Sequence, residues 1–134
     1  MYLLDTVVLS EMRKQEKNPG LAAWIAAQRE TDLFVSVISL GELERGIRIV
    51  AAKDEPFAER LAAWLDRLIR IYNDRILPVS LPMARRWGML SADIRNAGAD
   101  VMIAVTALEQ GGIVVTRNVR HFEPLGVQVL NPWS

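Results

Sequence analysis

The sequence predicts an α/β domain in which a parallel sheet is covered by helices on both faces. Three observations point there. Five short apolar runs, too brief for helices, are bounded by turn residues. Between them lie longer stretches whose apolar residues recur at three- and four-residue spacing, the period of an amphipathic helix. No internal repeat, low-complexity tract or long linker breaks the alternation. Strands buried on both faces form continuous apolar runs, and crossover helices cover the sheet. The 134 residues fit one domain, 1–134. A chain of this length buries roughly two-thirds of its unfolded surface, enough for a core without disulfides or structural metal.

The elements follow in order. Tyr2-Leu3-Leu4 is a buried strand that ends in a turn at Asp5-Thr6. Asn18 caps a helix with Pro19 in its first turn, and Leu21, Trp24, Ile25 and Gln28 share one face. Leu33 to Ile38 is the second strand, rich in β-branched residues. Ser39 opens the next helix, faced by Leu40, Leu43, Ile47 and Val50. Phe57, Leu61, Trp64, Leu68 and Ile71 form the cleanest stripe, marking a long helix. Ile76-Leu77-Pro78-Val79 is a third strand, and its proline places it at a sheet edge.

Ser80 and Pro82 start a helix faced by Met83, Trp87, Leu90 and Ile94. It stops near Asn96-Ala97-Gly98, where Gly98 is expected to take the left-handed conformation. Ala99-Asp100 begins a further helix that ends at Gly111-Gly112. Ile113 to Thr116 and Val127 to Leu130 are the fourth and fifth strands.

Composition excludes several functions. With no cysteine there is no disulfide framework, thiolate zinc site, iron–sulfur site or thiol nucleophile. A single histidine, His121, excludes a His-rich metal centre. No apolar run approaches the roughly 20 residues that span a bilayer, and the first residues carry no basic segment. A cytoplasmic protein without membrane contact is expected. Sixteen basic residues balance sixteen acidic ones, so no overall field draws in a polyanion. Arginines cluster locally at Arg45 and Arg48, Arg85 and Arg86, and Arg117 and Arg120.

In open parallel sheets, reactive groups collect beyond the carboxyl ends of the strands, where strand order reverses. Asp5 follows the first strand, Glu42 opens the helix after the second, Asp100 opens the helix before the fourth, and Asn118 follows the fourth. Each acid also has a local explanation. Asp5 and Asp100 suit helix starts, and Glu42 stands at capping-box spacing from Ser39. Together they mean more. Carboxylates converging on one crevice repel one another and must protonate or bind cations. An oxygen-only donor set selects hard divalent ions, Mg²⁺ or Mn²⁺, which activate water and stabilise a leaving oxygen at a phosphodiester.

Five segments carry a family resemblance: Met1 to Thr6, Ser36 to Leu43, Gly98 to Ala104, Val115 to Phe122 and Gly126 to Trp133. In this order they resemble the PIN-domain ribonucleases, most of all the VapC- and FitB-type toxins of bacterial type II toxin–antitoxin pairs. The resemblance implies a five-stranded parallel sheet of order 3-2-1-4-5, Mg²⁺-dependent cleavage of RNA, neutralisation by a VapB-like antitoxin, and a homodimer. It marks Asp5, Glu42 and Asp100 as the acidic metal-site residues, Asp5 and Asp100 being the principal ligands. Thr6 and Thr116 match hydroxyls that support the site.

The chain departs from the family at its fourth acidic position. Many relatives place aspartate at Asn118, at His121 or at both. Asn118 offers a neutral oxygen instead, and His121 either contacts phosphate or packs beside Phe122. Arg117 and Arg120 flank Asn118 and are candidates for contact with the RNA backbone. Two other readings compete: an aspartyl-phosphate domain, which lacks its paired acids and late lysine here, and a non-catalytic PIN fold that only sequesters an antitoxin. Trp24, Trp64, Trp87 and the long stripe either belong to the core or leave apolar faces for an antitoxin segment and a homodimer, and periodicity does not separate these readings.

Overall fold

Strand β1 (Tyr2–Leu4) lies at the centre of the sheet and fixes everything packed around it. A computed structural model describes all residues, 1–134. The chain runs on through α1 (Thr6–Arg13), α2 (Pro19–Ala27), β2 (Leu33–Ser36), α3 (Val37–Ala51), α4 (Glu55–Tyr72) and β3 (Ile76–Leu77). It continues with α5 (Leu81–Ile94), α6 (Ala99–Gln110), β4 (Ile113–Val115), the one-turn α7 (Val119–Phe122) and β5 (Val129–Leu130). The strands pair in parallel in the order β3-β2-β1-β4-β5. The predicted fold and strand order are both observed, with β3, the strand followed by Pro78, on the edge.

The pleat sorts the core. Leu3 pairs in register with Val114 and Leu4 with Val115, and successive strand residues point to opposite faces. Leu3 and Val114 therefore join Val101, Ile103, Ala104 and Phe122 on one face, with Trp87 and Leu90 of α5 packed against them. Leu4 and Val115 join Val8, Leu21, Val35, Leu65 and Leu68 on the other. Each fully buried aliphatic side chain contributes about 1.5–3 kcal/mol relative to exposure, so both layers hold the sheet.

Sequence and structure differ mainly at element boundaries: β3 and β5 are two residues each where four are predicted, and β4 stops at Val115, one residue short of Thr116. The β2–α3 boundary lies three residues earlier than predicted. Ser36 is the cap, its Oγ accepting from Ile38 N–H at 3.0 Å, while Ser39 is fully buried inside α3. The α4 stripe ends on half-buried Tyr72 and not on Ile71, which is 65% exposed; the three- and four-residue steps from buried Leu65 through Leu68 lead to 72. Trp24, Trp64 and Trp87 are half-buried against the two core layers, and Trp24 meets Tyr2 edge-on at 5.0 Å. Lastly, α5 is closed by Arg95 in the left-handed region (φ 55°, ψ 42°), and Gly98 instead begins α6 at φ −69°.

An L-residue in the left-handed region costs about 1 kcal/mol or more, a penalty glycine escapes. Arg95→Gly is expected to stabilise the chain by about 0.5–1 kcal/mol, read as a higher urea midpoint with an unchanged slope.

Candidate active site

Strand order reverses between β1 and β4, because the chain first winds outward to β3 and then returns to the other side of β1. Beyond the carboxyl ends of these two strands stand Asp5 and Thr116. The Thr116 hydroxyl donates to Asp5 Oδ2 at 2.8 Å and accepts from Asn118 N–H at 2.9 Å. Asp5 is also the cap of α1, its Oδ1 accepting from Thr6 N–H at 2.8 Å. The capping role expected of Asp5 is thus real, and the same carboxylate faces a cavity. The Thr6 hydroxyl donates to Glu42 Oε1 at 2.5 Å. With Ser36 as the cap of α3, Glu42 is released from the capping box and crosses to α1.

The cavity measures about 330 Å³. Asp5, Glu42 and Asp100 line it, with Thr6, Asn118 and His121 on its polar wall and Ile103 and Phe122 among its apolar residues. Asp100 lies in the first turn of α6 and accepts from Val101 N–H at 3.1 Å. No lysine or arginine lines this space. Asp5 is only 7% exposed, and burial pushes its carboxyl above the ordinary carboxylate range. The hydrogen bonds from Thr116 and Thr6 pull it back, while the nearby charges of Glu42 and Asp100 add to the rise.

The predicted residues do not all meet. The three carboxylates share the cavity without closing into a ready-made three-ligand cage, and each accepts a hydrogen bond from a neighbouring hydroxyl or amide. An oxygen donor set of this kind suits a hard divalent ion that keeps several waters. A polar-walled cavity of about 330 Å³ has room for such an ion with several waters, so the residues fit it. His121 is exposed and lines the cavity instead of packing as core.

Arg117 turns away from the cavity. It lines a neighbouring polar cleft with Glu11, Lys14 and Asn18, where Lys14, the Asn18 N–H and then Arg117 hold the Glu11 carboxyl below its ordinary range. Arg120 is exposed and lines neither space. The cavity residues that the sequence reading missed are Val7, Ala99, Ile103 and Phe122. Their apolar character fits core equally well, so only the fold could assign them.

This crevice, with acids delivered by three separate elements onto a sheet of order 3-2-1-4-5, defines a class before any comparison. The chain belongs to the PIN-domain family, whose model matches residues 2–125. It is similar to the VapC ribonuclease Y4jK of Sinorhizobium fredii, with 34% identity over 143 residues covering 100% of this chain and 99% of that protein. Toxin FitB of Neisseria gonorrhoeae is 31% identical over 140 residues, 99% of each chain. The crystal structure of FitAcB from the same organism superposes with a TM-score of 0.88 at 29% identity, covering 99% of each chain. No helix is long and apolar enough to cross a membrane.

The raised Asp5 value fixes a sign. An acid whose folded-state pKa is raised favours the fold while protonated and opposes it once ionised. Its contribution is most favourable below the ordinary value of 3.8 and declines as pH rises through the raised value. Asp5→Asn keeps the bond from Thr6 N–H to Oδ1 and reverses the other, the new amide donating to the Thr116 hydroxyl. In chelator near neutral pH the variant should melt at or above the parent temperature, and its stability should lack the Asp5 share of the decline above about pH 4.

Proposed function

We propose that this chain is the toxin of a type II toxin–antitoxin pair and acts as a divalent-metal-dependent ribonuclease, with Mg²⁺ as cofactor and Mn²⁺ able to replace it. The observation that carries this reading is the convergence of Asp5, Glu42 and Asp100 on one cavity at the point where strand order reverses. The ribonuclease and toxin names of the relatives, matched over nearly the full chain, support the activity; nothing in them favours a non-catalytic binder. Asp5 and Asp100 would be the principal ligands, and Glu42 would act directly or through water. The bound ion would supply Lewis-acid activation of water and stabilisation of the leaving oxygen.

The chain's own groups prepare that chemistry. Thr116 and Thr6 hold the Asp5 and Glu42 carboxylates by donated hydrogen bonds, which fixes their orientation. Asn118 and exposed His121 edge the same cavity, where Asn118 would offer a neutral oxygen to the ion or to its water. Arg117 and Arg120, outside the cavity, would reach only flanking phosphates.

An antitoxin is the expected protein partner. A groove of about 310 Å³ between α1, α3 and α4 is lined by Leu43, Ile47, Val50, Phe57, Leu61 and Trp64. It shares Thr6 and Glu42 with the acidic cavity, so an amphipathic segment seated there would reach the rim of the site. A homodimer would use other surface. On α5, Leu81 and Met89 are 73% and 65% exposed.

Asp5→Asn and Asp100→Asn should each lower Mg²⁺-dependent RNA cleavage by more than the roughly 10- to 100-fold typical of a group that only supports a ligand. Full retained cleavage by either variant rejects the assignment. Leu61→Arg should weaken antitoxin binding by about 30-fold or more, measured as lost growth rescue on co-expression, while the free variant still cleaves RNA. Rescue at the parent level would place the antitoxin elsewhere.

A further inference from the structure

Gly98 begins α6 with φ −69° and ψ 171°, a backbone that any residue adopts. Conformation therefore does not explain the glycine. Nor does capping: no side chain caps α6, although Ser, Thr, Asp or Asn at such a position ordinarily stabilises a helix. What the glycine leaves is space. A Cβ here would lie 2.9 Å from Asp100 Oδ1 and 3.1 Å from Asn96 Oδ1, both closer than ordinary van der Waals contact.

The corner is drawn together by short bonds. Gly98 N–H donates to Asn96 Oδ1 at 2.9 Å. Val101 N–H donates to Asp100 Oδ1 at 3.1 Å and to the Gly98 carbonyl at 3.1 Å. The Asp100 carboxylate is thus folded back against the first turn of its own helix, over the position where a residue-98 side chain would sit.

We propose that Gly98 is a positioning residue for Asp100: the missing Cβ lets the carboxylate lie against the α6 first turn while it faces the cavity. The inference rests on the reading of Asp100 as a metal ligand. Asp100 Oδ1 is the free end of a rotatable side chain, so under a 2.9 Å approach it moves before the backbone does. A methyl group at residue 98 consequently displaces the carboxylate and spares the fold. A serine has a second effect, because its hydroxyl can take the Val101 N–H as an ordinary cap.

The test uses the full chain as parent, Gly98→Ala, Gly98→Ser and Asp100→Asn. Mn²⁺ binding is followed by electron paramagnetic resonance of the free ion, melting is measured in chelator, and cleavage kinetics use a fluorogenic RNA over a range of Mn²⁺. Both Gly98 variants should melt no lower than the parent in chelator yet bind Mn²⁺ about 10- to 100-fold more weakly. Their cleavage should recover as Mn²⁺ is raised. Parental Mn²⁺ affinity in Gly98→Ala, with affinity lost in Asp100→Asn, overturns the positioning role and leaves the metal site standing. A melting temperature lowered by several degrees in chelator also overturns it, in favour of a packing role. Unchanged Mn²⁺ affinity in Asp100→Asn removes the metal reading itself, and this inference with it.

Discussion

A carboxylate buried where the sheet reverses its strand order is the constraint on which the site is built. Asp5 is nearly inaccessible, and its negative charge is opposed by burial and by Glu42 and Asp100. The fold tolerates it through two donated bonds, one from the Thr6 amide and one from the Thr116 hydroxyl. Both donors are set by the sheet. Thr6 is the next residue after Asp5, and Thr116 directly follows β4, whose Val115 stands in register with Leu4 of β1. The pairing that builds the core thus also delivers the donor to the acid. A slip of one residue would turn Leu4 and Val115 out of their layer and carry Thr116 away from Asp5.

The second carboxylate is tied to the first by one residue. Thr6 gives its amide to Asp5 and its hydroxyl to Glu42, so one residue at the start of α1 links the acid after β1 to the acid on α3. Such a link lets two acids approach without a cation between them, since each is partly satisfied by a neutral donor. The three carboxylates face one cavity yet do not close into a cage, and an oxygen donor set of that kind suits an ion that retains water.

Much of this was legible because the signals were short-range. Apolar runs gave the strands, the Asn18 and Ser80 caps gave two helix starts, and the acids stood at strand and helix ends. The departures share one cause: several residue types satisfy the same local rule, and tertiary packing chooses among them. Ser36 and Ser39 are both acceptable caps before Glu42; Val35 pairs with Ile76 in the sheet, so β2 ends at Ser36 and the first serine becomes the cap. Arg95 and Gly98 both lie where α5 can end, and the left-handed residue proved to be the arginine. Ile103 and Phe122 look like core by any periodicity, and they are core. Only the assembled fold shows that the same side chains wall the cavity. Arg117 and Arg120 were suggested by nearness in sequence to Asn118, a weak guide on a tight turn where adjacent side chains diverge.

The charge distribution gives the proposed ion a second duty. The cavity holds three carboxylates and no lysine or arginine, and the molecule as a whole is neutral. A phosphodiester entering this space would meet repulsion from each acid, on the order of 1 kcal/mol per pair at 4 Å even in water and more where water is thinned. The nearby arginine, Arg117, faces Glu11 in the adjoining cleft and so cannot offset that repulsion. In the proposed mechanism a divalent cation would therefore be needed to admit the RNA as well as to cleave it. Substrate and metal binding would then be mutually reinforcing, since each supplies charge that the other requires. The amide of Asn118 on the same wall acts in the same direction, since it adds no fixed negative charge beside the incoming phosphate.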